Sequence, residues 1–341
     1  MIKSIITRII RVTITVLTLA LGLVISFYHY GIRMPGESYR GPVPELSANT
    51  TELRDRLSNH VRVLAVDIGN RRGGRGSSQQ RAAEYIEQEF ADMGYVPRLE
   101  IFTEHEFINV VVDHYGSEDR EKILLIGAHY DSNWTSPGAD DNASGIAGML
   151  EIARMFRETR LPLTVRFVAF ANEEFPFYGT DEMGSLHHAS QARERNEEII
   201  AMFSLEMLGF YADGPESQYY PWIISPFYPR TGNFIAFVSN VLSRPLLIDT
   251  IATFRTQVAF PSEGLAAPQW LVRAIRRSDH ASFWVHGYRA IMITDTANFR
   301  NYGYHSAGDT HSTLDYHRMA LLVEGLAGVF QTLASQYHEV N

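Results

Sequence analysis

No cysteine occurs anywhere in the 341 residues. Disulfides, thiolate metal sites and a cysteine nucleophile are excluded together, which leaves histidine and carboxylates as the only strong ligands. The redox compartment is not constrained, because a cysteine-free chain is stable in either environment. Between about residue 45 and the C-terminus the chain also lacks low-complexity runs, charge blocks and internal repeats, so nothing there reads as a linker. Several catalytic signatures are missing too. His105-Glu106 is followed by Phe-Ile-Asn, so there is no H-E-x-x-H; no G-x-S-x-G elbow or phosphate loop occurs, and the G-G-R-G-S-S string at 73–78 follows no predicted strand.

Acid is absent from the first 33 residues, which carry Lys3, Arg8, Arg11 and Arg33. Removing those four from the 30 basic residues leaves 26 against 39 acidic ones, a body near −13. That sign argues against nucleic acid as a partner, since phosphate binding needs the opposite charge. With 45% hydrophobic and 20% charged residues, the body has ample material for a large core.

Between Arg11 and Arg33 lie 21 residues without a full charge. As a helix they span roughly 30 Å, about one bilayer core. Tyr28 and Tyr30 fall at the far interface, and Lys3, Arg8 and Arg11 keep the N-terminus cytoplasmic. A cleaved secretory signal shares the basic start and apolar middle, but no small-x-small site follows Ile25. The expectation is an uncleaved single-pass anchor over 1–33, a stiff Pro/Gly stalk over 34–50, and an extracytoplasmic body.

Helical periodicity covers 51–68 and 77–93, with Ser77 or Ser78 as N-cap and Gly94 as terminator. Strand-like runs follow at 97–103, 107–114 and 122–128, then helix 142–158, strands 163–170 and 200–206, strand 289–294 and a last helix at about 315–338. Strands alternating with helices predict an α/β fold, a three-layer sandwich around a mixed, mostly parallel sheet. In such sheets ligands bind beyond the carboxyl ends of the strands, where His129, Glu173, Glu174 and Glu206 all fall. Residues 209–278 interrupt the alternation with aromatics and prolines, and helical patches are expected near 231–242 and 268–276. The stretch reads as a lid or pocket wall, or as an excursion that only extends the core.

Five strings concentrate hard ligands beside turn-forming residues: G-A-H-Y-D-S (127–132), P-G-A-D-D-N-A-S-G (137–145), A-N-E-E (171–174), S-L-E-M-L-G (204–209) and Y-H-S-A-G-D-T (304–310). Two cations sharing a carboxylate would polarise a carbonyl and lower the pKa of a shared water, with a spare acid to move protons. Asp141 fits the shared position, at a turn where helical amides brace a carboxylate; equally, Asp140, Asp141 and Asn142 could merely cap helix 142–158. His129 ends a buried strand, and Asp131 can orient its second ring nitrogen. Glu173 and Glu174 are adjacent and so point in different directions, one free to bind metal while the other faces water. Glu206 ends another apolar run and His305 lies in a polar loop.

Through these strings the chain resembles the co-catalytic di-zinc aminopeptidases of metallopeptidase clan MH, the group related to aminopeptidase Y and the glutamate carboxypeptidase II ectodomain. The resemblance covers about residues 50–338, and G-A-D-D-N-A-S-G with N-E-E carries it. It implies a peptidase domain over 51–341, with 209–278 as the insertion, and two divalent metal ions, zinc by family habit. One ion would take Asp141, Glu174 and His305, the other His129, Asp141 and Glu206. Glu173 would be the general base and then the acid, Asp131 would orient His129, and Asp279 in S-D-H-A-S-F-W would stand behind the ligands. A cis peptide is implied between Asp141 and Asn142. One departure is Glu206, where the family commonly has aspartate. The activity implied is an exopeptidase, most simply an aminopeptidase that removes the first residue of peptides with a free N-terminus. The same scaffold also serves glutaminyl-cyclase-like acyl transfer, carboxypeptidases and non-catalytic receptor-like ectodomains.

Overall fold

A computed structural model describes residues 2–73 and 77–339. The middle of the glycine-rich string at 73–78 and the side chain of Lys3 lie outside the described residues. Eight strands form one sheet: β1 (Arg98–Phe102), β2 (Phe107–His114), β3 (Asp119–His129), β4 (Leu163–Phe170), β5 (Glu198–Glu206), β6 (Ile235–Asn240), β7 (Ser262–Ala267) and β8 (Ala290–Thr294). Their order is β1-β2-β4-β3-β5-β8-β6-β7. The four central strands β4, β3, β5 and β8 are parallel, while β1, β2 and β6 enter antiparallel to their inner neighbours. Every residue of β4 is buried, as a strand covered on both faces requires.

Helices lie on both faces, completing the expected three layers. One face carries α2 (Ala48–Arg62), α3 (Ser78–Asp92), α4 (Gly145–Phe156), α6 (Arg244–Gln257) and α8 (Tyr316–Glu339), whose apolar sides share one core with the inward residues of the sheet. The other carries α5 (Gly184–Glu194) and α7 (His280–Val285), packed on Leu125, Val168 and Met202. Ser77 caps α3 by accepting from the amides of Gln79 and Gln80, and Gly94, at a φ of 84°, turns the chain out of it.

The helical patch expected near 231–242 is a correction: β6 occupies its centre, and the helix begins at Arg244. The run Phe-Ile-Ala-Phe-Val is as suited to a strand as to a helix, and pairing with β8 and β7 decides it. Near 268–276 only a short 3₁₀ turn forms, at Arg273–Arg276. Residues 209–278 thus extend the sheet by two strands. Their remaining loops cover the outer face of β8, β6 and β7, where Ile224, Phe234, Val272 and Ile275 pack on Ala236, Val238, Leu265 and Met292.

The N-terminal helix α1 (Ile2–Phe27) projects from the body, its apolar side chains exposed; it is long and apolar enough to cross a membrane. The chain leaving it runs along the outer edge of β7. Gly31 sits so close to the Ala266 carbonyl that a Cβ would lie 2.6 Å from it. Arg255 donates to the carbonyls of Pro35 and Gly36, and Ser38 Oγ accepts from the Ser262 amide.

Candidate metal centre

Parallel strands deliver the site residues to one end of the sheet. His129 is the last residue of β3, Glu206 the last of β5, and Glu173 and Glu174 follow β4 by three and four positions. Asp141 arrives on the irregular turn Ala139–Ser144 that leads into α4, and its peptide bond to Asn142 is cis. His305, with a φ of 55°, comes from the loop before α8.

The two oxygens of Asp141 face different partners. Oδ1 lies 3.4 Å from Nε2 of His129, which is itself 3.4 Å from Oε2 of Glu206. Oδ2 lies 3.1 Å from Nε2 of His305, which is 3.1 Å from Oε1 of Glu174. Two groups of three ligand atoms therefore meet at one carboxylate: His129, Asp141 and Glu206, and Asp141, Glu174 and His305. Both are deep, with only His305 partly exposed.

Three of these atoms, His129 Nε2, Asp141 Oδ2 and Glu174 Oε1, are buried without a hydrogen-bond partner. Leaving such atoms unpaired is costly, so they mark a place for a cation. The spacing agrees. Ligands about 2.0–2.1 Å from a tetrahedral zinc stand roughly 3.3 Å apart, and the gaps here run from 3.1 to 3.4 Å. Oxygen and imidazole donors with no sulfur suit zinc as well as its harder neighbours.

Charge gives the same answer. Asp131, Asp141, Glu173, Glu174 and Glu206 converge on only two imidazoles. Burial would raise the Asp141 carboxyl, but the imidazoles of His129 and His305 beside it hold it well below the usual carboxylate range. Burial, then Asp141, pushes Glu174 up to about 7. Glu173 is driven well above its ordinary value by burial; His129 opposes the rise, and Glu206, Glu174 and Asp279 add to it. Burial acts against charging His129 and His305, yet the carboxylates hold His129 well above its normal value and His305 near 10. So many carboxylates around two imidazoles make a site whose charge a cation would balance.

Asp131 braces the arrangement. Its Oδ1 is 3.2 Å from His129 Nδ1 and accepts from the Glu173 amide, while Oδ2 accepts from the Glu174 amide. One carboxylate thus orients the imidazole and fixes the loop that presents both glutamates. Glu173 belongs to neither triad; its Oε2 stands 4.0 Å from His129 Nε2. Asp279 is buried behind His129 and Glu206, both oxygens without a hydrogen-bond partner, and burial lifts its carboxyl to about 7.

Four supporting residues escaped sequence reasoning. Ser278 donates to Glu206 Oε2 at 2.6 Å. Asp309 accepts from the amides of Asp140 and Asp141 at 2.8 and 3.1 Å, clamping the shared-carboxylate turn. Arg71, fully buried, donates to the carbonyls of Tyr130, Pro137 and Gly138, tying that turn to the end of β3. Asn133 lies 3.3 Å from Glu174 Oε2 and 3.2 Å from His305 Nδ1. Asp309 lies within the Y-H-S-A-G-D-T string and Ser278 precedes Asp279, so both are close in sequence to candidate residues. Arg71 and Asn133 carried no local signal.

Comparison with known proteins decides the family. The sequence model of Peptidase family M28 matches residues 109–329, well over half of the chain and a span that holds every residue of both triads. The chain belongs to peptidase family M28. With membership comes the expected enzyme class, a metallo-aminopeptidase type of hydrolase. YfbL of Escherichia coli (strain K12), an uncharacterized protein, is 38% identical over 283 residues, 80% of this chain and 86% of YfbL. A probable zinc metalloprotease of Leptosphaeria maculans is 29% identical over 206 residues, 55% of this chain and 46% of that protein. Among solved structures, the LapA aminopeptidase of Legionella pneumophila superposes with a TM-score of 0.66 at 18% identity, covering 87% of this chain and 78% of LapA. At that identity the likeness shows the fold alone.

Beside the centre opens a cavity of about 100 Å³, almost wholly apolar. Its floor is the outer face of the sheet, where Glu206, Thr294, Ala236 and Glu263 lie in one register row across β5, β8, β6 and β7. Tyr220, Tyr228 and Phe234 wall it, and Tyr304, stacked on His305, stands at the mouth.

Proposed function

We propose that the chain is a membrane-anchored, extracytoplasmic aminopeptidase whose centre holds two divalent zinc ions. The observation that carries this reading is Asp141, which presents one oxygen to each of two buried ligand groups. One ion would be held by Asp141, Glu174 and His305, the other by His129, Asp141 and Glu206. When bound, the ions would supply Lewis-acid polarisation of the scissile carbonyl and would lower the pKa of a water, so that it can give up a proton and attack.

The chain's own residues do the rest. Glu173, close to the centre but outside both ligand groups, accepts the proton of the attacking water at its carboxylate and returns it to the departing amine. Asp131 keeps His129 in the tautomer that turns Nε2 inward, and its grip on the Glu173 amide sets where that carboxylate stands. The free N-terminus of the peptide binds among the carboxylates, and the first side chain enters the cavity beside Glu206. Its walls come mainly from the 209–278 insertion, which thereby acts as pocket wall and lid. An apolar slot of that size selects large apolar first residues, the leucine, methionine and phenylalanine class. Residues 34–47, expected as a stalk, join the anchor to α2 along the edge of the body, and Lys3, Arg8 and Arg11 hold the N-terminus on the cytoplasmic side.

Metal analysis combined with hydrolysis of aminoacyl-anilides tests the reading. Two equivalents of zinc per chain and chelator-sensitive hydrolysis are expected, with no turnover when the substrate amine is acylated. Activity that survives chelation, or that prefers N-blocked peptides, would overturn it.

A further inference from the structure

The end of the sheet opposite the metal centre carries a different kind of surface. Because β6 runs antiparallel to β8, the C-terminal ends of β6 and β7 lie at that far end, side by side through the Asn240–Ala267 pair. Just beyond them two large apolar side chains stand in solvent: Leu242 is 82% exposed and Trp270 is 79% exposed. Neither covers any part of the core.

The membrane-spanning helix arrives at the same place. Gly31 rests on the Ala266 carbonyl, one residue before the end of β7. Arg244, two residues after Leu242, donates to the Tyr30 carbonyl and lies over the Tyr30 ring at 4.4 Å from its centroid. Phe27 and Tyr28 pack on Phe227, from the loop that covers this side of the sheet. Tyr28 and Tyr30 themselves stay about half exposed. Arg244 and two tyrosines thus lie at the juncture of helix and body, with Leu242 two residues before Arg244 and Trp270 three residues beyond the end of β7. Aromatic rings and arginines are what proteins place at the level of lipid headgroups.

We propose that this end of the sheet rests on the bilayer, with Leu242 and Trp270 seated in the headgroup region beside Tyr28 and Tyr30. The proposal depends on α1 being a membrane anchor and adds that the catalytic body is docked on the membrane rather than swinging from a stalk. The occupant is a lipid surface because the chain's own bilayer segment enters there and Arg244 joins the two. The row Glu206–Thr294–Ala236–Glu263 lies four residues from Ala267 along β7, roughly 13 Å further from the membrane at the rise of a strand. The metal centre is held above the headgroups and faces away from them, so its peptides come from the aqueous side.

The absence of cysteine makes the test direct. Single-cysteine variants Leu242→Cys and Trp270→Cys of the full chain are labelled with an environment-sensitive fluorophore and placed in phosphatidylcholine nanodiscs. Leu17→Cys, in the middle of α1, reports the anchor, and Ile101→Cys, exposed on the opposite edge strand β1 and paired with Ile108 at the metal-centre end of the sheet, reports water. Quenching by a lipid-borne nitroxide is compared with quenching by aqueous iodide. The expected ratio at 242 and 270 is severalfold above that at 101 and below that at 17. A ratio at 242 and 270 equal to that at 101, with 17 quenched from lipid, overturns the docking and leaves the anchor. A water-exposed label at 17 overturns both.

Discussion

The hydroxyl of Ser278 donates a 2.6 Å hydrogen bond to Oε2 of Glu206, the oxygen that faces His129. Glutamate carries one more rotatable bond than the aspartate that the resemblance leads one to expect here, and the bond from Ser278 holds that longer arm in place. Ser278 is itself fixed by Ser204, two residues upstream of Glu206 on the same face of β5. Supporting bonds of this type are worth about 10–100-fold in metal affinity. Ser278→Ala should weaken the ion between His129 and Glu206 by that factor and leave the other bound. Titrating the metal-free protein with zinc should then resolve two separated steps where the parent shows closely spaced ones.

Glu173 should behave differently from its neighbour. Glu173→Gln keeps the shape and both ligand groups, so two equivalents of metal should remain. Removing the proton carrier should lower kcat by about 10²–10⁴, the usual worth of general acid–base catalysis. Glu174→Gln, in contrast, should lose metal. Steady-state kinetics beside metal analysis separates the two. Equal metal loss in both variants would mean that the roles of the adjacent glutamates are not divided.

Much of this was legible because parallel α/β sheets concentrate function at strand ends. The strands ending at His129 and Glu206, and the one just before Glu173, read clearly as buried apolar runs, and the ligands stood at their ends. What stayed hidden depended on contacts distant in sequence. Asp309 holds the Asp140 and Asp141 amides from about 170 residues away. Arg71 reaches the same turn from a loop with no helical or strand pattern. The strand at 235–240 reads equally as a helix, because the apolar run at 234–238 is unbroken and shows no alternation; only its pairing partners distinguish the two.

A stability prediction comes from Glu151, fully buried on α4. His60 and Arg56 of α2 hold its carboxylate, with Arg154 closing the third side. Burial would raise its pKa, but the bonds from His60 and Arg56 overcome that and bring it down to about 2. A carboxyl depressed in the folded state contributes its full stability above its ordinary value of 4.5 and loses it as pH falls toward 2. Between pH 6 and pH 3 that loss is about 2 kcal/mol. Urea unfolding at the two pH values should show the parent losing about 2 kcal/mol more than Glu151→Gln does. Identical pH slopes would remove Glu151 from the acid sensitivity of the α2–α4 contact.

The cavity offers a change of specificity rather than of chemistry. Ala236 lies on its floor, with Tyr220, Tyr228 and Phe234 among the walls around it. Its Cβ points into the cavity, because it shares a face with Thr294 and Glu206 in the register row. Ala236→Leu adds three carbons to a slot of about 100 Å³. Each methylene gained or lost by a ligand in such a pocket changes kcat/KM by about 10-fold or more. For leucyl- and phenylalanyl-anilides, kcat/KM should therefore fall by about 10–200-fold. Alanyl-anilide, which leaves the slot mostly empty, should change far less, and zinc content should not change. A uniform loss across all three substrates would place the first side chain elsewhere, and a thermal melt of the variant separates that outcome from simple misfolding.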